Sequence, residues 1–122
     1  MLAEEGADYL AIETMMDLNE ALCALEGALR AAALQVTVSL TFDRRARGYF
    51  TLMGQGPAAC ARALTSAGAT AVGANCSIGS DDMVDLCREL VAASTVPVLV
   101  KPNAGLPEVV DGRALYRQHP ED

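Results

Sequence analysis

Four short apolar runs alternate with helix-period stripes, and this alternation limits what the chain can fold into. Residues 8–13 (DYLAIE) form the first run, after Gly6. Leu18, Leu22, Leu25 and Leu29 then recur at helical spacing, with Asp17, Asn19, Glu20 and Arg30 off the stripe. Residues 35–42 (QVTVSLTF) are rich in Val and Thr, as strands are. Residues 57–67 (PAACARALTSA) read as a helix, with Pro57 in its first turn and Gly68 just past its end. Residues 69–76 form the third strand. Ser80-Asp81-Asp82 reads as an N-cap with acids behind it, opening a helix through Met83, Leu86, Cys87 and Leu90. Residues 96–100 form the fourth strand. The runs are nearly continuous rather than strictly alternating, which predicts parallel strands covered by helices, an α/β fold of order βαβαβαβ.

The rhythm changes at the C-terminal end. Residues 109–116 place two short β segments around Asp111-Gly112, a type I′ hairpin signal. Pro120-Glu121-Asp122 reads as the first turn of a further helix, and Leu2 to Gly6 as the last turn of an earlier one. A complete (β/α)₈ barrel takes roughly 250 residues, and this chain has 122. The expectation is a single partial domain over 1–122, truncated at both ends. It would be a half-barrel of about four βα units with a C-terminal β-hairpin.

Charge and cysteine usage narrow the function. A net charge of −7 argues against a nucleic-acid or anionic-membrane surface. Arg44, Arg45 and Arg47 are the one basic cluster and read as a solvated loop. No apolar stretch approaches the ~20 residues of a membrane span, and the first residues carry acids where a signal peptide carries bases, so a cytoplasmic location is expected. Cys23, Cys60 and Cys87 sit within helical patterns and read as small buried thiols. There is no C-x-x-C and a single histidine, His119.

Only Cys76 lies at a strand end. In parallel α/β folds the C-terminal ends of the strands face the site. These ends carry Glu13-Thr14, Thr41-Phe42-Asp43, Asn75-Cys76 and Asn103. Cys76 reads as a thiolate ligand, a nucleophile or a plain small residue. Gly73, three positions earlier, signals that the strand needs a small residue in a packed interior. Glu13 reads as an amine-binding carboxylate, a base, or a cap of the next helix. Asn103, in Pro102-Asn103-Ala104-Gly105, reads as a contact residue or an Asx-turn. Lys101 reads as pointing outward.

The segments GADYLAIETMMDLNEA, VSLTFD, GYFTLMGQ, GANCSIGSDDM and VKPNAGLP, in that order, resemble the homocysteine S-methyltransferase family. The resemblance is nearest to the homocysteine-binding half of the cobalamin-dependent methionine synthases and covers essentially the whole chain. It implies a (β/α)₈ barrel of which this chain supplies strands four to seven. It also implies a catalytic zinc held by three cysteines, the first in a G-x-N-C motif matched by Cys76. The other two family ligands form a Cys-Cys pair in a G-G-C-C motif, and this sequence has no Cys-Cys. The family's glycine-rich first-strand region is likewise unmatched. By the same resemblance Glu13 pairs with the homocysteine amino group, and Asn75 and Asn103 line the substrate.

The chemistry accounts for such a ligand set. A homocysteine thiol is mostly protonated at neutral pH, whereas the thiolate is the nucleophile. Zinc removes that proton and keeps its fourth position for substrate. The expectation is a fragment of a zinc-dependent methyltransferase that forms methionine, inactive alone because its metal site is incomplete. GYFTLMGQ leans towards methionine synthase, so cobalamin and methylfolate are expected only through domains absent from this chain. The alternative is a non-catalytic half-barrel module, completed by self-association or by a partner chain. A third reading, an unrelated enzyme with Cys76 as nucleophile, lacks a partner histidine, because His119 lies in the terminal tail.

Overall fold

The computed structural model describes residues 4–105, 107–116 and 118. Strands β1 (Tyr9–Met15), β2 (Gln35–Leu40), β5 (Ala71–Asn75) and β6 (Val98–Lys101) form one sheet in the order β1-β2-β5-β6. Every pairing in it is parallel. Helices α1 (Leu18–Ala31), α2 (Pro57–Ser66) and α3 (Ser80–Ala93) make the crossovers. Two antiparallel hairpins stand apart from the sheet, β3 (Asp43–Arg45) with β4 (Gly48–Phe50), and β7 (Glu108–Val110) with β8 (Arg113–Leu115).

Helix boundaries follow local chemistry. The Asp17 side chain accepts from the Asn19 N–H at 2.7 Å and caps α1. Pro57 opens α2, and Gly68 beyond its end takes φ +98°. Asp81 and Asp82 lie in the first turn of α3 as expected, but Ser80 is not its cap. Gly79 occupies the cap position without a side chain to offer, and the Ser80 N–H instead donates to Gln118 Oε1 at 3.1 Å. The tertiary partner replaces the local one.

One face of the sheet packs on the helices. Val36, Val38, Leu40, Val72 and Ala74 meet Leu25, Leu64, Leu86 and Leu90 in a single buried core, with Leu10, Ile12, Val98 and Val100 against it. Each such leucine contributes about 1.5–3 kcal/mol by leaving water. The intervening side chains point to the other face, which is uncovered at the sheet's edge strands: Tyr9 is 55% and Leu99 51% exposed.

The strands run one to two residues differently from the sequence reading, but all four are present. At Asp111 and Gly112 φ is positive at both residues, as a type I′ turn requires. The β3–β4 hairpin went unforeseen, since its three-residue strands carry Arg44 and Arg45 rather than an apolar run. Those arginines are not a free loop: Arg44 pairs with Asp82 and Arg45 donates to the Thr51 carbonyl. Of the helical cysteines, Cys60 is buried, Cys87 half-buried and Cys23 exposed. Cys23 therefore departs from the buried-thiol expectation. Leu2, His119 and the expected helix start at Pro120-Glu121-Asp122 lie outside the described residues.

Candidate functional site

The C-terminal ends of β1, β5 and β6 bring Glu13, Asn75, Cys76 and Lys101 to one rim. Asn75 pairs in register with Lys101, and the Cys76 N–H donates to the Lys101 carbonyl at 3.1 Å. Lys101 does not point outward. Its ammonium donates to the Glu13 carboxylate from the far edge strand of the same sheet. Both side chains remain about half exposed, so this pair adds on the order of 1 kcal/mol or less to stability.

Gly73 explains how β5 and β6 approach at this point. A Cβ there would stand 1.8 Å from the Leu99 carbonyl oxygen. The requirement for a small residue is real, and it comes from the backbone of the neighbouring strand.

Strand β1 is irregular where it matters. Ile12 pairs with Val38 and Met15 with Leu40, so three steps on β1 oppose two on β2. This is a one-residue bulge at Glu13-Thr14, with Thr14 at φ 60°. As a result two consecutive side chains serve the same rim: Glu13 meets Lys101, and Thr14 meets Asn75. Regular alternation would have sent one of them to the helix layer.

Asn75 is 4% exposed and is the centre of the polar contacts. Its Oδ1 accepts from the Thr14 N–H at 3.0 Å and from Ser39 Oγ at 2.6 Å. Its Nδ2 donates to Thr14 Oγ1 at 2.7 Å and to Cys76 Sγ at 3.2 Å. The Thr14 N–H can only donate, which settles which end of the amide is oxygen.

Cys76 and Ser77 follow with φ of 63° and 61°, a left-handed conformation that non-glycine residues adopt at a cost of order 1–3 kcal/mol each. The turn carries the chain back so that the Asn103 N–H donates to the Ile78 carbonyl at 3.0 Å. Asn103 is half-buried, and its side-chain amide makes no hydrogen bond among the described residues, so it does not close an Asx-turn there. A cavity of about 670 Å³ is lined by Ser77, Ile78 and Gly79 together with Arg44, Asp81 and Asp82, and none of Glu13, Asn75, Cys76 and Asn103 lines it.

Asp82 lines that cavity beside Asp43, Asp81 and Arg44. Its carboxylate accepts from Arg44 and, at 3.1 Å, from the Tyr49 hydroxyl. The Arg44 guanidinium is held above its usual pKa by that hydrogen bond and the charge behind it. The Tyr49 phenol is raised mainly by burial and then by its bond to Asp82. These residues anchor the β3–β4 hairpin to the start of α3, and no simple sequence signal announced them. A more apolar cavity of about 520 Å³ lies along α3 and β6, between Met83, Val84, Cys87, Val91 and Val100. None of Glu13, Asn75, Cys76 and Asn103 lines it.

Cys76 is a suitable soft donor for zinc, but it is one donor. Among the described residues no group of three or more His, Cys, Asp or Glu side chains could hold a metal ion. These residues do not fit a zinc ion by themselves. No helix among them is long and apolar enough to cross a membrane.

Comparison with known proteins identifies relatives of this chain. The family model described as homocysteine S-methyltransferase matches residues 1–122. The methionine synthase of Mycobacterium leprae is 30% identical over 126 residues, and that of Mycobacterium tuberculosis 31% over 124. In each case the match covers 99% of this chain and 10% of the relative, so the chain spans about a tenth of their length. Crystal structures of the homocysteine methyltransferase MmuM from Escherichia coli, metallated and apo, superpose with a TM-score of 0.72 at 25% identity. They cover 85% of this chain, which spans 35% and 39% of theirs.

Proposed function

Because this chain belongs to the homocysteine S-methyltransferase family, we propose that its rim forms the homocysteine-binding part of a zinc-dependent site that makes methionine. The observation that supports the reading is the linkage between the ends of β1, β5 and β6, where Lys101 pairs with Glu13 and Asn75 joins Thr14 to Cys76. On this reading the Glu13 carboxylate accepts charge-assisted hydrogen bonds from the substrate ammonium, which takes the place of the Lys101 ammonium. The Asn103 amide, which no described residue engages, contacts the same substrate. Cys76 supplies one sulfur to the metal. Two further sulfurs must come from outside the described residues, so the chain alone binds zinc weakly and has no turnover.

The four parallel strands and the uncovered face are read as half of a (β/α)₈ barrel, in a single partial domain over 1–122. Cobalamin and methylfolate, as the source of the methyl group, are assigned to other domains, and the site to the cytoplasm. A second reading is a non-catalytic half-barrel module completed by another copy or by a partner chain. The open edges of β1 and β6 and the exposed Leu99 favour it, since uncovered edges and apolar faces promote association.

Zinc stoichiometry, molar mass by light scattering and an NMR titration with homocysteine test both readings on the 122-residue chain. The expected result is less than one tightly bound zinc per chain, with homocysteine shifting the Glu13 and Asn103 resonances. 4-Mercaptobutanoate, which lacks the ammonium, should leave Glu13 unmoved. Tight 1:1 zinc would refute the incomplete ligand set. Equal shifts with both ligands would refute the role of Glu13. A stable oligomer indifferent to homocysteine would favour the module.

A further inference from the structure

We infer that Asn75 is a positioning residue, a strut that sets the Cys76 sulfur and the Glu13 bulge relative to one another, in place of the direct substrate contact the resemblance implies. A side-chain amide has two acceptor sites on oxygen and two hydrogens on nitrogen. All four are engaged within the protein: by the Thr14 N–H, Ser39 Oγ, Thr14 Oγ1 and Cys76 Sγ. A buried Asn75 has nothing left to offer a ligand without breaking one of these bonds. Asn103 offers the contrast, with an amide that no described residue engages.

The placement of the four partners shows what the strut does. β1 and β5 are not neighbours; β2 runs between them. Asn75 meets β2 at Ser39 and reaches Thr14 beyond it. There it grips both the N–H and the hydroxyl of one residue. Thr14 is β-branched and stands at φ 60°, where such a residue is disfavoured. Two hydrogen bonds from one amide offset that cost and hold the bulge, and the bulge leaves Glu13 and Thr14 both serving the rim. The other hydrogen of the same amide holds Cys76 Sγ. One buried side chain thus fixes the two groups that the methyltransferase reading uses at opposite ends of homocysteine. The value of that spacing rests on the homocysteine reading; the strut itself does not.

The test needs no homocysteine and no metal, so its failure is separable from failure of that reading. Asn75→Asp keeps the acceptors but replaces the donor facing Cys76 with a negative oxygen. Asn75→Ala removes the strut without adding charge. Iodoacetamide labelling read by mass spectrometry follows three thiols in one sample: Cys76 as the probe, exposed Cys23 as the reference and buried Cys60 as the reporter of unfolding. Amide NMR follows Glu13, Thr14 and Met15.

Asn75→Asp should slow Cys76 at least threefold relative to Cys23, with Cys60 still protected. Both variants should move the amide resonances of residues 13–15 and of Cys76. Wild-type labelling and unmoved resonances would overturn the strut, as would changes confined to one of its two ends. Loss of Cys60 protection in both variants would show a general role in folding and would overturn it equally.

Discussion

Gly73→Ala should separate β6 from the sheet. The added Cβ would lie 1.8 Å from the Leu99 carbonyl oxygen and 2.9 Å from its carbonyl carbon. Both are backbone atoms, so no change of rotamer relieves the clash, and the strands must part by roughly 1 Å or more. The pairs at stake run from Val72↔Val98 to Asn75↔Lys101. Losing about two net backbone hydrogen bonds costs ~2 kcal/mol. Loosening Val98 and Val100 from the core adds about 1 kcal/mol for each. The expected destabilisation is about 3–4 kcal/mol, a large part of the 5–15 kcal/mol typical of a domain. Urea denaturation measures it, and amide exchange localises it. Protection should fall at Val98 to Lys101 and at the Cys76 N–H, whose acceptor is the Lys101 carbonyl. A variant within about 0.5 kcal/mol of wild type, with β6 still protected, would refute the close approach and the edge pairing drawn from it.

Thr14 gives a paired comparison. Thr14→Ala loses the bond to Asn75 and keeps the left-handed strain, whereas Thr14→Gly loses the bond and relieves the strain, so the glycine variant should be the more stable by about 1 kcal/mol in thermal denaturation. Burial pushes the Cys60 thiol up to about 11 from an ordinary value of 9.0. The folded state therefore holds this proton more tightly than the unfolded chain. The associated stability is complete below pH 9 and is lost as pH rises to about 11, a fall of roughly 2–3 kcal/mol. Urea midpoints at pH 8 and pH 10.5 measure the fall, and Cys60→Ala should remove this contribution. Asp82→Asn takes the charge from the Arg44 pair and weakens the Tyr49 bond, and should lower the urea midpoint only slightly, because the Arg44 side of the pair is exposed. Its Tyr49 hydroxyl should titrate at lower pH than in wild type, by ultraviolet absorbance, since one raising influence is removed.

The order of elements was legible in the residues because it depends on local period. Nearly continuous apolar runs at 8–13, 35–42, 69–76 and 96–100 and a leucine stripe over 18–29 are best buried as strands and one-sided helices, and the structure has an element at each. The hairpin at Asp111-Gly112 was legible for the same reason, since two positive φ values in succession favour that residue pair. The rule that parallel strands present their C-terminal ends together picks out Asn75 and Cys76 at the end of β5, whereas Glu13 lies within β1 and Asn103 two residues beyond β6. The β3–β4 hairpin was not legible, because it is held by Arg44, Asp82 and Tyr49 across long sequence distances.

Nor could the sequence show that Lys101 turns back to Glu13, that Thr14 sits in a bulge, or that every hydrogen-bonding position of Asn75 is taken. Periodicity records which side of an element faces water. A bulge, an ion pair across four strands and a saturated amide depend on how separate elements meet. That meeting is decided by the close approach of β5 and β6 at Gly73 and by the packing of the helices behind the sheet.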